Sequence, residues 1–186
     1  MTSITDIKIY REIDPLHSRN VRDEFKSLSN EEIKAKLKET SLPLAVMMFQ
    51  LSGDFNFANV VRTANGFNAR EVFYFGRRKY DRRGTVGTYH YTDVNYLTCF
   101  ADLVELKKRY NFVALEQNSR SIKLPEFKWP KNKPNLIILG EEGNGLSEET
   151  INLCDYCIEI PMNGSVRSFN AASAAGIAMY DYVSKQ

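Results

Sequence analysis

The stretch IPMNGSVRSFNAASAAGIAMYDY, Ile160–Tyr182, leaves an apolar strand and turns through Asn163, Gly164 and Ser165. It then enters a segment crowded with Ala171, Ala172, Ala174, Ala175 and Gly176. A strand, a short polar turn and a helix in that order form the repeating unit of an α/β fold. The spacing predicts a last helix over about Ser168–Ser184, with Ser168 placed to cap it. Free backbone N–H groups at such a start favour an anion or a carboxylate. The small side chains that follow imply that another segment of chain, or a partner, approaches this helix closely.

The same alternation runs backward along the chain. PLAVMMFQL (Pro43–Leu51) is a continuous apolar run of strand length, as expected of a strand buried on both faces. EVFYFG (Glu71–Gly76), NFVALEQ (Asn111–Gln117), NLIILG (Asn135–Gly140) and YCIEI (Tyr156–Ile160) read as four more strands. NFANVVRTANGF, TCFADLVELKKRY and LSEETINLC, the last opened by Ser147, read as the helices between them. The fold class that follows is α/β, a mostly parallel sheet with helices on both faces. Residues 18–40 read as helix, with Ser29 and Glu32 in capping-box spacing. Residues 1–40 are expected to form a helical N-terminal extension of one domain spanning 1–186.

The bulk numbers agree. With 186 residues, 43% hydrophobic and 26% charged, the chain can build one globular core. Its apolar runs are far shorter than the roughly 20 residues of a membrane helix, so no membrane partner is expected. The N-terminal segment lacks the apolar core of a secretory signal, and Cys99, Cys154 and Cys157 fit reduced thiols, so a cytoplasmic location is expected. The net charge of +2 says little about partners, but its distribution says more. Between Gly76 and Tyr91, Arg77, Arg78, Lys79, Arg82 and Arg83 stand against one acid, Asp81, and among Tyr80, Tyr89 and Tyr91. This is either a solvated loop or a surface that contacts phosphates and stacks on bases.

Ligands of parallel sheets sit at the carboxyl ends of the strands. Three polar loops follow strands here, Gly53–Asn59, Gly140–Leu146 and Met162–Asn170, and are expected to converge if their strands are neighbours. GEEGNGLS (Gly140–Ser147) has the glycine spacing of a phosphate loop, but Leu146 replaces the lysine that would hold a triphosphate. Its glycines point instead to close backbone approach to a ligand. CDYC (Cys154–Cys157) lacks a second pair, and His17 and His90 are remote in sequence, so both cysteines are assigned to packing and no metal is expected. Asn56 and Arg62 lie about 240° apart on an ideal helix and converge only if Asn56 precedes it. Arg62 falls within the apolar pattern. It either closes an ion pair, with Glu142 as a candidate, or aims a guanidinium fork at a phosphate.

NFANVVRTANGF, LIILGEEGNGL and IPMNGSVRSFNAASAAGIAMYDY resemble, in order, the three motifs of the TrmH-like RNA methyltransferases of the SPOUT superfamily. The motifs cover Asn56–Tyr182, about two thirds of the chain. The resemblance implies a C-terminal deep trefoil knot and S-adenosylmethionine as methyl donor, held by Gly140, Ile160, Met162 and Phe169. It implies a homodimer with the last helix near the interface, and 2′-O-methylation of a ribose in tRNA or rRNA. Asn56, Arg62, Glu142, Ser168 and Asn170 match the family's active-site positions. RNA binding falls to the basic loop and the N-terminal segment, since the separate RNA-binding domain of larger members is not seen. Two positions depart from the pattern: Ala58 stands where the family often has Gly, and Phe169 where it often has Leu. Base methylation and a non-catalytic RNA-binding role are the alternatives. The absence of an aspartate near the third motif favours the ribose.

Overall fold

The computed structural model describes residues 20–50, 54–141 and 143–186. Seven strands form one sheet: β1 (Leu42–Gln50), β2 (Ala69–Gly76), β3 (Val94–Leu97), β4 (Asn111–Leu115), β5 (Ile122–Lys123), β6 (Asn135–Leu139) and β7 (Tyr156–Glu159). Their order is β3-β2-β1-β6-β4-β7-β5, and every pairing is parallel. In the central register Met47 lies between Phe73 of β2 and Ile138 of β6.

The apolar run of β1 is explained by its two buried faces. Leu44, Val46 and Met48 point into one core layer with Phe57, Val60, Val61 and Ala64 of α2 (Asp54–Gly66) and Ala175, Ala178, Met179 and Tyr182 of α5 (Ala171–Ser184). Ala45 and Met47 point the other way, toward Leu103 and Leu106 of α3 (Phe100–Leu106) and Ile151 of α4 (Glu148–Leu153). Successive strand residues alternate between faces, so a strand sandwiched by helices must be apolar at both parities.

The expected strands and internal helices are all present, most with slightly trimmed ends. Two strands escaped the sequence reading. β3 has four residues and β5 two, each on an outer edge of the sheet, where one neighbour suffices and little hydrophobic pattern accumulates. The N-terminal segment differs from expectation. Helix α1 covers only Asn30–Glu39, entered through the Ser29–Glu32 capping box, and the described residues before it contain one short 3-10 turn at Asp23–Phe25. The rest of the expected extension, with His17, lies outside the described residues.

The last helix begins later than the sequence suggested. Asn170, not Ser168, is its N-cap, and its Oδ1 accepts N–H bonds from Ala172 at 3.0 Å and Ser173 at 3.3 Å. The alanines are accounted for within the chain: α5 returns from β7 to pack on α2 and across β6, with Ala175 and Ala178 fully buried there. Its other face leaves Ile177, Tyr180 and Val183 in solvent, Tyr180 at 65% exposure.

Candidate active site

The strand order places the ends of β1, β6, β4 and β7 side by side, so the loops after them share one edge of the sheet. A cavity of about 370 Å³ opens there, a volume typical of small-molecule sites. Leu139 and Gly140 after β6, Ile160 after β7, and Ser168, Phe169 and Ala171 at the entrance to α5 contribute to its wall.

The bend from Gly140 to Leu146 is closed by a bridge between Glu141 and Gly145, whose N–H donates to the Glu141 carbonyl at 3.0 Å. Gly145 has φ +68°, in the left-handed region that favours glycine. Gly140 is required for a different reason. A Cβ there would lie 2.6 Å from the Gly145 Cα and 2.5 Å from its carbonyl oxygen, with only backbone to push against. The bend is therefore closed tightly on its own backbone, and Glu141, Gly143, Asn144 and Gly145 line the cavity beside Gly140.

Besides the packing of α5 on α2, a side-chain bond joins the first and third motifs. Asn170 Nδ2 donates to Asn56 Oδ1 at 2.8 Å across 114 positions of sequence. The same Asn170 thus caps α5 with its oxygen and holds α2 with its nitrogen. Asn56 lies inside α2, not in a loop before it, so it and Arg62 do not share a face of that helix. Arg62 is also not on the buried side. The apolar positions 57, 58, 60, 61 and 64 turn inward, whereas Phe55, Asn59, Arg62 and Gly66 form the exposed stripe. Glu142, the expected ion-pair candidate, lies outside the described residues.

Of the expected donor contacts, Gly140, Ile160 and Phe169 line the cavity, as does Ser168. Met162 is half-buried and is not among the lining residues. Phe169 keeps 40% exposure, so its ring forms part of the mouth. The sequence reading missed the contribution of β4. Leu115, Glu116 and Gln117 line the cavity. Glu116 Oε2 accepts the Leu146 N–H at 2.9 Å, and Gln117 Nε2 donates to the Arg167 carbonyl at 3.2 Å. One short turn therefore clasps both loops that border the cavity. The available signal was a polar Glu-Gln pair closing an otherwise apolar strand.

The basic segment is a packed structure, not a free loop. Tyr74 donates its hydroxyl to the Arg78 carbonyl and Tyr96 to that of Gly76, each at 2.9 Å. A Cβ on Gly84 would lie 2.8 Å from the Ala58 methyl of α2, so the segment is seated on that helix. Arg82 stands over the Tyr89 ring at 4.7 Å and the Tyr80 ring at 5.9 Å. Burial, the largest influence, raises the Tyr80 hydroxyl above its ordinary pKa despite the nearby Arg82. Arg83 is bound to Asp81, with Nε–O distances of 2.9 and 3.0 Å. Arg77, Arg78 and Lys79 are exposed.

Cys154 and Cys157 belong to the packing, whereas Cys99 is exposed. Cys157 is buried with its sulfur 3.2 Å from Ser121 Oγ, and Cys154 donates to the Thr150 carbonyl. Burial pushes the Cys154 thiol up to about 12, so it is neutral at ordinary pH. No helix among the described residues is long and apolar enough to cross a membrane.

The model of the SpoU rRNA Methylase family matches residues 43–180. The TrmH-family protein YacO of Bacillus subtilis (strain 168) is 29% identical over 161 residues, covering 82% of this chain and 63% of YacO. The chain thus spans less than two thirds of that relative's length. The tRNA (guanosine(18)-2′-O)-methyltransferase of Aquifex aeolicus (strain VF5) is 26% identical over 155 residues, covering 80% of this chain and 72% of that enzyme. Among solved structures, the A. aeolicus TrmH/SpoU tRNA modifying enzyme superposes with a TM-score of 0.72 at 24% identity, over 85% of this chain and 84% of that one. The AdoMet complex of the SpoU methyltransferase AviRb from Streptomyces viridochromogenes gives 0.67 at 23% identity, over 76% of this chain and 57% of that one. At those identities the two structures establish a shared fold.

Proposed function

Because the chain belongs to the SpoU rRNA Methylase family, we propose that it is an S-adenosylmethionine-dependent methyltransferase acting on a ribose 2′-hydroxyl of tRNA or rRNA. The observation that carries this reading is the 2.8 Å Asn170–Asn56 bond, which joins the first and third motifs at the edge where the cavity opens. When bound, S-adenosylmethionine supplies a methyl group already activated on a sulfonium. The cavity fits it: the volume is sufficient, Phe169 and Ile160 contribute apolar residues to the wall, and Gly140, Gly143 and Gly145 line it without side chains.

The protein's own work is then alignment and charge stabilisation. Arg62, exposed on α2 and without an ion pair among the described residues, grips the RNA phosphate next to the target ribose. It stabilises the charge that develops as the 2′-hydroxyl gives its proton to that phosphate. An arginine, with a pKa above about 12, is a poor base but a strong bidentate clamp for phosphate. Asn56 and Asn170 fix the ribose side of the site, Ser168 shapes the cavity edge, and the role assigned to Glu142 is to orient a neighbouring loop. Arg77, Arg78, Lys79 and Arg82 follow the RNA backbone. Arg83 contributes less because Asp81 already occupies it.

The C-terminal trefoil knot belongs to the same reading: the chain leaves β7, shares a cavity with the 140–146 bend, and returns as α5 onto α2. A homodimer would cover Ile177, Tyr180 and Val183, the apolar residues α5 leaves in solvent. Three free cysteines suit a cytoplasmic setting. Residues 1–40 act as an extension of a single domain.

The test is methylation of total RNA in vitro, followed by digestion and identification of the labelled nucleoside. A 2′-O-methyl nucleoside from the wild type and none from Arg62→Ala, with donor binding kept in the variant, is the expected result. A methylated base, or unimpaired turnover by the variant, overturns it.

A further inference from the structure

The wall of the cavity carries three described carboxylates, Glu116, Glu141 and Glu159, against one cation, Arg167. The two forms of the proposed cofactor differ in charge. S-adenosylmethionine carries a net charge of +1 through its sulfonium, and its demethylated product S-adenosylhomocysteine carries none. Resting on the cofactor reading above, we propose that Glu116 is a specificity-determining residue, whose fixed negative charge makes the cavity favour the cationic donor over the neutral product.

Glu116 is held more firmly than an ordinary cavity carboxylate. Its Oε1 accepts the Gln117 N–H and its Oε2 the Leu146 N–H, both at 2.9 Å. Across from it Gly145 has no side chain to spare room for: a Cβ there would overlap Oε2 and lie 3.2 Å from Cδ. Each carboxylate oxygen keeps a second lone pair that these bonds do not use. The charge is therefore oriented by the fold before any ligand arrives, and little is lost in reorganising it. Glu141 is differently placed, 9% exposed and bonded within the bend to Asn144 Nδ2 at 3.3 Å. Methyl transfer removes the sulfonium charge, so the same step that makes product weakens the attraction of Glu116 for what remains bound.

Isothermal titration of the wild type and Glu116→Gln with three ligands tests this: S-adenosylmethionine, S-adenosylhomocysteine, and sinefungin, in which an amine-bearing carbon replaces the sulfonium and keeps the net charge. The amide oxygen of glutamine still accepts the Leu146 N–H, which keeps the bend tied to β4, while its NH2 cannot accept the Gln117 N–H, so the variant loses that local bond together with the charge. The two cationic ligands should lose about tenfold in affinity and the neutral product less than about threefold, the scale of one partly screened charge pair. Equal losses for all three ligands, the signature of a merely structural role, overturn the inference alone, and so does an unchanged ratio. No binding of any ligand to the wild type overturns the cofactor reading as well. Should Glu116→Gln not fold, the wild type decides: the affinity ratio of donor to product must fall when ionic strength is raised about tenfold, and a ratio indifferent to salt overturns the inference.

Discussion

Gly140→Ala is the sharpest perturbation of the proposed donor site. An alanine is compatible with the backbone at position 140, because its φ is not in the left-handed region. The obstacle is purely the Gly145 backbone, which its methyl would meet 2.5 Å from the carbonyl oxygen and 2.6 Å from Cα. No rotamer relieves a clash with backbone, so the bend itself must open. Overpacking of this kind costs about 1–3 kcal/mol. Opening the bend also strains the Gly145 N–H bond to Glu141 and the Leu146 N–H bond to Glu116, each worth about 1 kcal/mol. A total of about 3 kcal/mol corresponds to a fall in Tm of roughly 6–12 °C for a chain of this size. Thermal unfolding and donor titration, run in parallel on Gly140→Ala and Gly164→Ala, measure the two effects. Gly164 has nothing within 4 Å of an added Cβ and should tolerate the change with stability and binding intact. A Gly140→Ala protein that melts with the wild type and binds donor equally well would refute the account of the bend.

Asn170→Ala removes the cap of α5 and the link to Asn56 together; it should lower stability by about 1–2 kcal/mol in denaturant titration and depress methyl transfer. Asn56→Ala leaves the cap in place, so it should cost less stability while still impairing transfer in a single-turnover assay. Gly84→Ala drives a methyl into Ala58 and should unseat the basic segment, weakening RNA binding in filter assays more than donor binding. Alkaline stability provides a separate check. The Cys154 thiol rises from 9.0 unfolded to about 12 folded, so its contribution is fully present below pH 9 and is lost as pH climbs toward 12. Denaturation at pH 8 and pH 10.5 should show a smaller alkaline loss in Cys154→Ala than in the wild type. An equal loss would mean that burial does not hold that proton.

Much of the fold could be read from one-dimensional pattern because a sheet covered on both sides leaves a strong signature. β1 and β6 are apolar at both parities, and no half-exposed strand would be. Edges β3 and β5 were invisible for the converse reason: each has a single neighbour and too few residues to establish a period. The N-terminal segment misled in another way. A run of charged residues around a few apolar ones resembles an amphipathic helix, yet only Ile33 of α1 is buried, and the regular helix covers only ten residues.

The site was legible where its chemistry depends on small residues and on special residues at loop ends, and illegible where it depends on who sits across from whom. Gly140 and Gly145 announce a close approach, but nothing in the sequence says that Glu116 is what approaches Gly145 from the side. That relation exists because β4 is inserted between β6 and β7 in the sheet, a fact of topology 30 positions away from Leu146. Arg62 shows the limit from the other direction. Its neighbours Val60 and Val61 suggested a buried guanidinium in need of a partner, whereas the 100° turn of each helical residue carries it past them onto the stripe shared with Phe55 and Asn59. An arginine in solvent on that stripe balances no structural charge among the described residues. It is therefore available to a phosphate at no cost to the core, and its substitution should leave the folded protein as stable as before while removing its chemistry.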